Sequence, residues 1–322
     1  MLTKTLMSVA ILPAILGLQL ARAEVAGFDC SAATAGSTQQ QRLAAIELLN
    51  DSWDTSRLGC AAQILIAIAD NKTSDYNAQL SALQANAQYI YYLDRIILYE
   101  LGYLIVWYIT DVPKEKMLNE PMLALIAAQE EQQRILQQAR DAGFDNAELN
   151  YFESLSIGAN AQALPLLKGV VAADPPSLHG AAHALLAETY YALPDIIGGD
   201  LDLAIVLMRE AWQRSPDNPR YACLLAAYLL DKDQSDEARL ILSQLPPMVA
   251  ELEKTKTGGL QLLADQLRVA SDLAERMGNA ALAQQLTNQR NSTLASHPYL
   301  QKRTVVSAMG HFGDIDPMRD QD

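Results

Sequence analysis

His179 and His183 stand four residues apart in a stretch that reads as helical, the spacing of two metal ligands on one helix face. Imidazole suits zinc and copper. Two ligands do not complete such a site, and the only further imidazoles, His297 and His311, belong to the C-terminal tail. The competing reading is structural, with one histidine packed and the other facing water. Carboxylate pairs fare no better. Glu130 and Glu131 are adjacent and point to different faces, and Asp94 and Glu100 are six apart, too far round a helix for close coupling. There is no HExxH, no Ser/His/Asp grouping, no glycine-rich phosphate loop and no CxxC. These residues point to a non-catalytic protein with no cofactor.

Cysteine usage bears on compartment. Met1 to Ala23 has the pattern of a secretory leader: Lys4, an apolar run from Leu6 to Leu20, and Ala21-Arg22-Ala23 as a cleavage site. A leader places the mature chain in an oxidising compartment, here expected to be the periplasm. Cys30 and Cys60 share the N-terminal region and are the expected disulfide. Cys223 sits inside the apolar run YACLLAAYLL and reads as a buried small hydrophobe. No cysteine stands at the cleavage point to carry a lipid. The formal charge of the 322-residue chain is −14, and loss of the leader removes two bases and no acid. A surface so acidic is a poor match for nucleic acid. Half the residues are apolar, as a folded core requires.

Helical periodicity runs through the chain, and no alternating strand pattern appears. Helices are expected over 39–50, 57–70, 75–110, 117–142, 146–156 and 160–173. Asp174-Pro175-Pro176 then makes a sharp break. Beyond it, helical pairs are expected at 177–193 with 200–214, 219–230 with 235–245, and 259–277 with 279–293, Pro246-Pro247 stopping the second pair. The organisation is thus a leader (1–23), a helical N-terminal region (24–173), helical hairpins (174–296) and a polar tail (297–322). The run YLDRIILYELGYLIVWYI is interrupted by Asp94, Arg95 and Glu100, so it reads as a core helix and not a membrane span. Its aromatic residues, Tyr91, Tyr99, Tyr103 and Trp107 among them, also suit the wall of an apolar ligand pocket.

The hairpin at Tyr190–Pro216 has its own signature. Gly198-Gly199 permits a tight backbone path, and Asp200 is placed to cap the returning helix. Ala204, Met208, Ala211 and Pro216 follow at offsets of 0, 4, 7 and 12, and Ala226 and Ala238 of the next hairpin are 12 apart. Those small residues resemble the helix crossings of tetratricopeptide repeats. The fold expected is all-α, with antiparallel hairpins stacked as a tetratricopeptide-like array. The lengthened LPDIIGG turn, in the run Tyr190, Leu193, Pro194, Gly198, Gly199, Asp200 and Ala204 followed by Pro216-Asp217-Asn218, resembles the T-component proteins of tripartite (TRAP-type) transporters. That resemblance implies a periplasmic accessory that pairs with a solute-binding protein. Tyr190, Tyr191 and Asp195 at the turn are then the expected partner surface. The alternative is a carrier of a small hydrophobic molecule or organic acid.

Overall fold

The structure, a computed structural model, describes residues 30–51, 55–108, 120–157, 161–255 and 260–296. The expected leader, the tail and its two histidines, His297 and His311, lie outside the described residues. Within them the fold is all-α and free of strands. The helices are α1 (Ser31–Thr34), α2 (Thr38–Asp51), α3 (Thr55–Asp70), α4 (Tyr76–Tyr108), α5 (Glu120–Asp141), α6 (Ala147–Ile157) and α7 (Leu164–Ala173). They continue as α8 (Ala181–Ala192), α9 (Leu201–Arg214), α10 (Pro219–Asp231), α11 (Ser235–Leu242), α12 (Leu245–Thr255), α13 (Leu260–Arg276) and α14 (Ala280–Ser296). No described helix is long and apolar enough to cross a membrane.

A first core lies among α3, α4, α5 and α6. Leu65, Leu83, Ile135, Leu149 and Phe152 are buried there. Polar side chains join the same helices: Asn86 on α4 donates to the Ala128 carbonyl at 2.8 Å and to Gln132 Oε1 at 2.9 Å on α5. Arg134 on α5 reaches Asp70 on α3 at 2.9 Å. Cys30 and Cys60 are disulfide-bonded across a separation of 30 residues, which fastens the chain before α1 to α3.

A second core runs from α7 to α14 and is built on alanine. Ala204, Met208, Ala211, Ala226 and Ala238 all have 0% exposure. A methyl at each crossing lets two helices close to contact, and larger residues such as Met208, Leu225 and Leu242 fill the space between crossings. At the α8–α9 crossing the approach is closer still, since a Cβ on Gly180 would stand 2.7 Å from the Ala211 carbonyl oxygen.

Local chemistry sets the ends of these helices. Asp200 Oδ1 accepts from the Leu203 N–H at 2.9 Å and starts α9. Asn218 Oδ1 accepts from the Arg220 N–H at 3.0 Å, with Pro219 at the first position of α10. Before α9, Gly198 has φ 103°, and a Cβ on Gly199 would lie 1.8 Å from the Leu193 carbonyl oxygen. Two expectations are corrected. Pro246-Pro247 does not stop a helix but lies in the first turn of α12, where a missing N–H costs nothing. The helix expected from residue 177 does not start there but as α8 at Ala181. Ser177 is not in that helix. It lies in a 3-10 turn, Pro176–Leu178, and donates to Glu148 at 2.8 Å, while α8 begins after Gly180.

Two stability measurements check this packing. Gly199→Ala should lower the unfolding free energy by about 2 kcal/mol or more. Gly169→Ala, inside α7 with nothing within 4 Å of the added methyl, should raise it by about 0.5–1 kcal/mol. Equal effects at the two sites would contradict the backbone contact. Reduction of Cys30–Cys60 should cost about 3–4 kcal/mol for a loop of this length, read as a lower urea midpoint of the N-terminal helices. An unchanged midpoint would show that α1 and α3 need no fastening.

Candidate functional site

A groove of about 470 Å³ lies between the two cores. Gln84, Gln88 and Tyr91 form one wall on α4, spaced so that they fall on a single stripe of the helix. Tyr151, Phe152 and Leu155 of α6 continue that wall. Opposite them stand Ala181, Leu185 and Glu188 of α8, again one stripe, and Arg220 and Tyr221 from the first turn of α10. The groove therefore runs along the first helices of two consecutive hairpins and is closed on its other side by the N-terminal helices.

Among the described residues, Glu188 and Arg220 are the only charged ones in the lining. Arg220 Nη2 donates to both carboxylate oxygens of Glu188, at 2.8 and 2.7 Å. The two side chains are 24% and 22% exposed. The guanidinium carbon also lies 5.9 Å from the Tyr91 ring centre, within cation–π range. Burial disfavours the guanidinium charge, but Glu188 together with Tyr91, Tyr221 and Tyr228 outweighs it, and the Arg220 pKa stays above its ordinary value. Burial raises the Tyr151 and Tyr221 hydroxyls, which Arg220 pulls the other way. Both phenols are neutral at pH 7 and keep an O–H to donate and an oxygen to accept. Arg220 Nε is buried and has no acceptor among the described residues.

A second polar cluster lies where α7, α8 and α9 meet. Asp174 ends α7 in the left-handed conformation, φ 43°, and receives Arg214 Nε at 3.1 Å and Nη2 at 2.8 Å. His183 on α8 is 2% exposed. Its Nε2 is 3.4 Å from Glu210 and its Nδ1 is 4.0 Å from Asp174. Burial, reinforced by Arg214, pushes the His183 pKa down against the pull of the two carboxylates. Arg214 holds Asp174 below the usual carboxylate range.

The expected histidine pair does not share a helix face. His179 has φ 45° and closes the 3-10 turn, where its carbonyl accepts from Ser215 Oγ at 2.8 Å. Pro175, Pro176 and Gly180, with φ 83°, keep α8 from extending back to it. No group of three or more His, Cys, Asp or Glu side chains able to hold a metal occurs among the described residues. Tyr190, expected at a partner surface, is 6% exposed and packs in the second core. Tyr191 is half-buried, stacks on Tyr228 at 4.2 Å and donates to Asp231. Asp195 is exposed on the long turn, beside Ile196 at 93% exposure. Tyr91 is in the groove wall, while the side chains of Tyr99, Tyr103 and Trp107 on α4 fall outside the described residues. Cys223 is fully buried, its thiol pushed up to about 12.

The Glu188–Arg220 pair was missed because its members are 32 residues apart and meet only when two hairpins stack. One signal was available. Arg220 is the only cationic residue in α10, whose other residues are almost all apolar.

Residues 195–251 match the family model for the tetratricopeptide repeat. No curated protein matches the chain.

The lowered His183 pKa has a signed consequence. As the pH falls, the unfolded chain takes up the proton first, so the stability from His183 is complete above about pH 6.5. It is lost as the pH falls through the lower folded value. The urea midpoint should therefore drop more between pH 7.5 and 5.5 in the wild type than in His183→Asn. Equal drops would mean that His183 does not sit neutral between Glu210 and Asp174.

Proposed function

We propose that the protein is a non-catalytic, exported helical-repeat adaptor of the periplasm. Its groove between α4, α6, α8 and α10 receives a segment of another periplasmic protein, in keeping with a transport accessory that pairs with a solute-binding protein. The observation that carries this reading is the groove itself. It lies on the first helices of two repeat hairpins, where a stacked array presents a continuous surface to a partner, and its lining is aromatic and polar with a single arginine. Tyrosine and arginine are enriched in protein interfaces. The repeat match over residues 195–251 supports an interaction scaffold. The Cys30–Cys60 bond fits an oxidising compartment.

The second reading, a small-ligand carrier, is favoured by the groove volume of about 470 Å³, which falls within the range of small-molecule sites. Cross-linking separates the two. A benzophenone amino acid placed at Gln84, in the groove, should cross-link saturably to a solute-binding protein identified by mass spectrometry in periplasmic extract. The same group at Leu240, exposed on α11, should not. Cross-links from Leu240 and none from Gln84 would overturn the adaptor reading, and a copurifying small molecule displaced from the groove would favour the carrier.

A further inference from the structure

Arg220 carries more donors than Glu188 takes up. Glu188 engages Nη2 alone, through both of its oxygens. The neighbouring Nε–H is buried and has no acceptor among the described residues. A buried N–H without an acceptor is an unfavourable arrangement that an oxygen brought within its reach would relieve. The kind of oxygen is constrained by what surrounds it. Glu188 already balances the guanidinium, and no other charged residue among those described lines the groove. A carboxylate seated on Nε would come close to the carboxylate of Glu188, and like charges at that range repel strongly in a half-buried site. The whole chain, at −14, adds to the repulsion. A neutral carbonyl oxygen meets the same N–H without either penalty.

The facing wall has matching groups. Gln84 is exposed and its side-chain amide makes no hydrogen bond with any described residue. Gln88, one turn further along α4, gives its Nε2 to the Leu49 carbonyl at 3.2 Å, and its Oε1 has no donor among the described residues. Two groups one helical turn apart are separated by about 5–6 Å along the axis. An extended chain presents groups on one side every second residue, about 6.6 Å apart. The two spacings agree closely enough for α4 to hold successive amides of one strand-like segment. Tyr91, Tyr151 and Tyr221 offer ring faces for its side chains.

Building on the adaptor reading, we infer that the groove takes an uncharged, extended peptide segment. One backbone carbonyl accepts from Arg220 Nε, and the flanking amides pair with Gln84 and Gln88. Acidic segments and free organic acids are disfavoured by Glu188.

The test uses the oxidised full-length mature protein immobilised through its C-terminus. Two pools of acetylated, amidated pentapeptides drawn from Ala, Val, Leu, Ser and Tyr are passed over it, one with Asp fixed at the centre. Retained peptides are read by mass spectrometry, with succinate as a competitor. The neutral pool should be enriched at least tenfold over the Asp pool, and succinate should not displace it. Gln84→Ala, at an exposed position, should reduce retention at least threefold. Arg220→Lys, which keeps a cation for Glu188 but has no Nε–H, should reduce it further. Preference for the Asp pool, displacement by succinate, or retention indifferent to both variants would overturn the inference. If Gln84 cross-links to a solute-binding protein but no neutral peptide is retained, the peptide chemistry is wrong and the adaptor reading stands. If neither occurs, both fail.

Discussion

Close approach of helices at alanine is the constraint from which the repeat segment follows. Ala204, Ala211, Ala226 and Ala238 have no exposed surface, and all lie in the core that α8 to α11 share. Larger side chains there would push the axes apart and strain the packing on both sides. With the axes close, α8 and α10 lie near enough for Glu188 to reach Arg220, although α9 intervenes in sequence. The charged pair in the groove is thus a consequence of apolar packing elsewhere.

The N-terminal helices turn this array into one with a walled groove. Helix α4 is 33 residues long, about 50 Å at 1.5 Å per residue, and its side-chain polarity changes along its length. Near its start it packs Leu83 and Ala85 into the first core, while Gln84, Gln88 and Tyr91 are left to line the groove. The bond from Cys30 to Cys60 and the Arg134–Asp70 pair hold α3 and α5 around it. On the array side, Arg214 and Asp174 fix the bend between α7 and α8, with His183 held beneath them. The groove walls are therefore set by elements whose own packing does not depend on what the groove holds.

Much of the architecture was legible in the residues themselves. The period of apolar positions is a local property, so the helices from 38 to 296 other than α12, and the all-α class, could be read from it. The Asp200 cap and the offsets of Ala204, Met208 and Ala211 are local as well. The Cys30–Cys60 bond was legible because few pairings were open to three cysteines, one of them in an apolar helix. Proline was misread at 246 and 247 because it both ends helices and begins them, and only the following helix decides. The histidine spacing misled for a similar reason: four residues mean one face only if the helix includes both, and Gly180 starts it too late. The site was the least legible part. Gln84, Tyr151, Glu188 and Arg220 come from four helices and are related by tertiary packing alone.

Hydrogen–deuterium exchange of the oxidised protein, with and without the solute-binding protein captured by it, tests the placement of the partner most directly. Binding in the groove predicts added protection at residues 84–91, 151–155, 181–188 and 220–221, with α11 and its exposed Leu240 unchanged. Protection confined to α9 and α11, or to the turn at Ile196 and Ile197, would contradict it and place the partner on the outer face of the repeats.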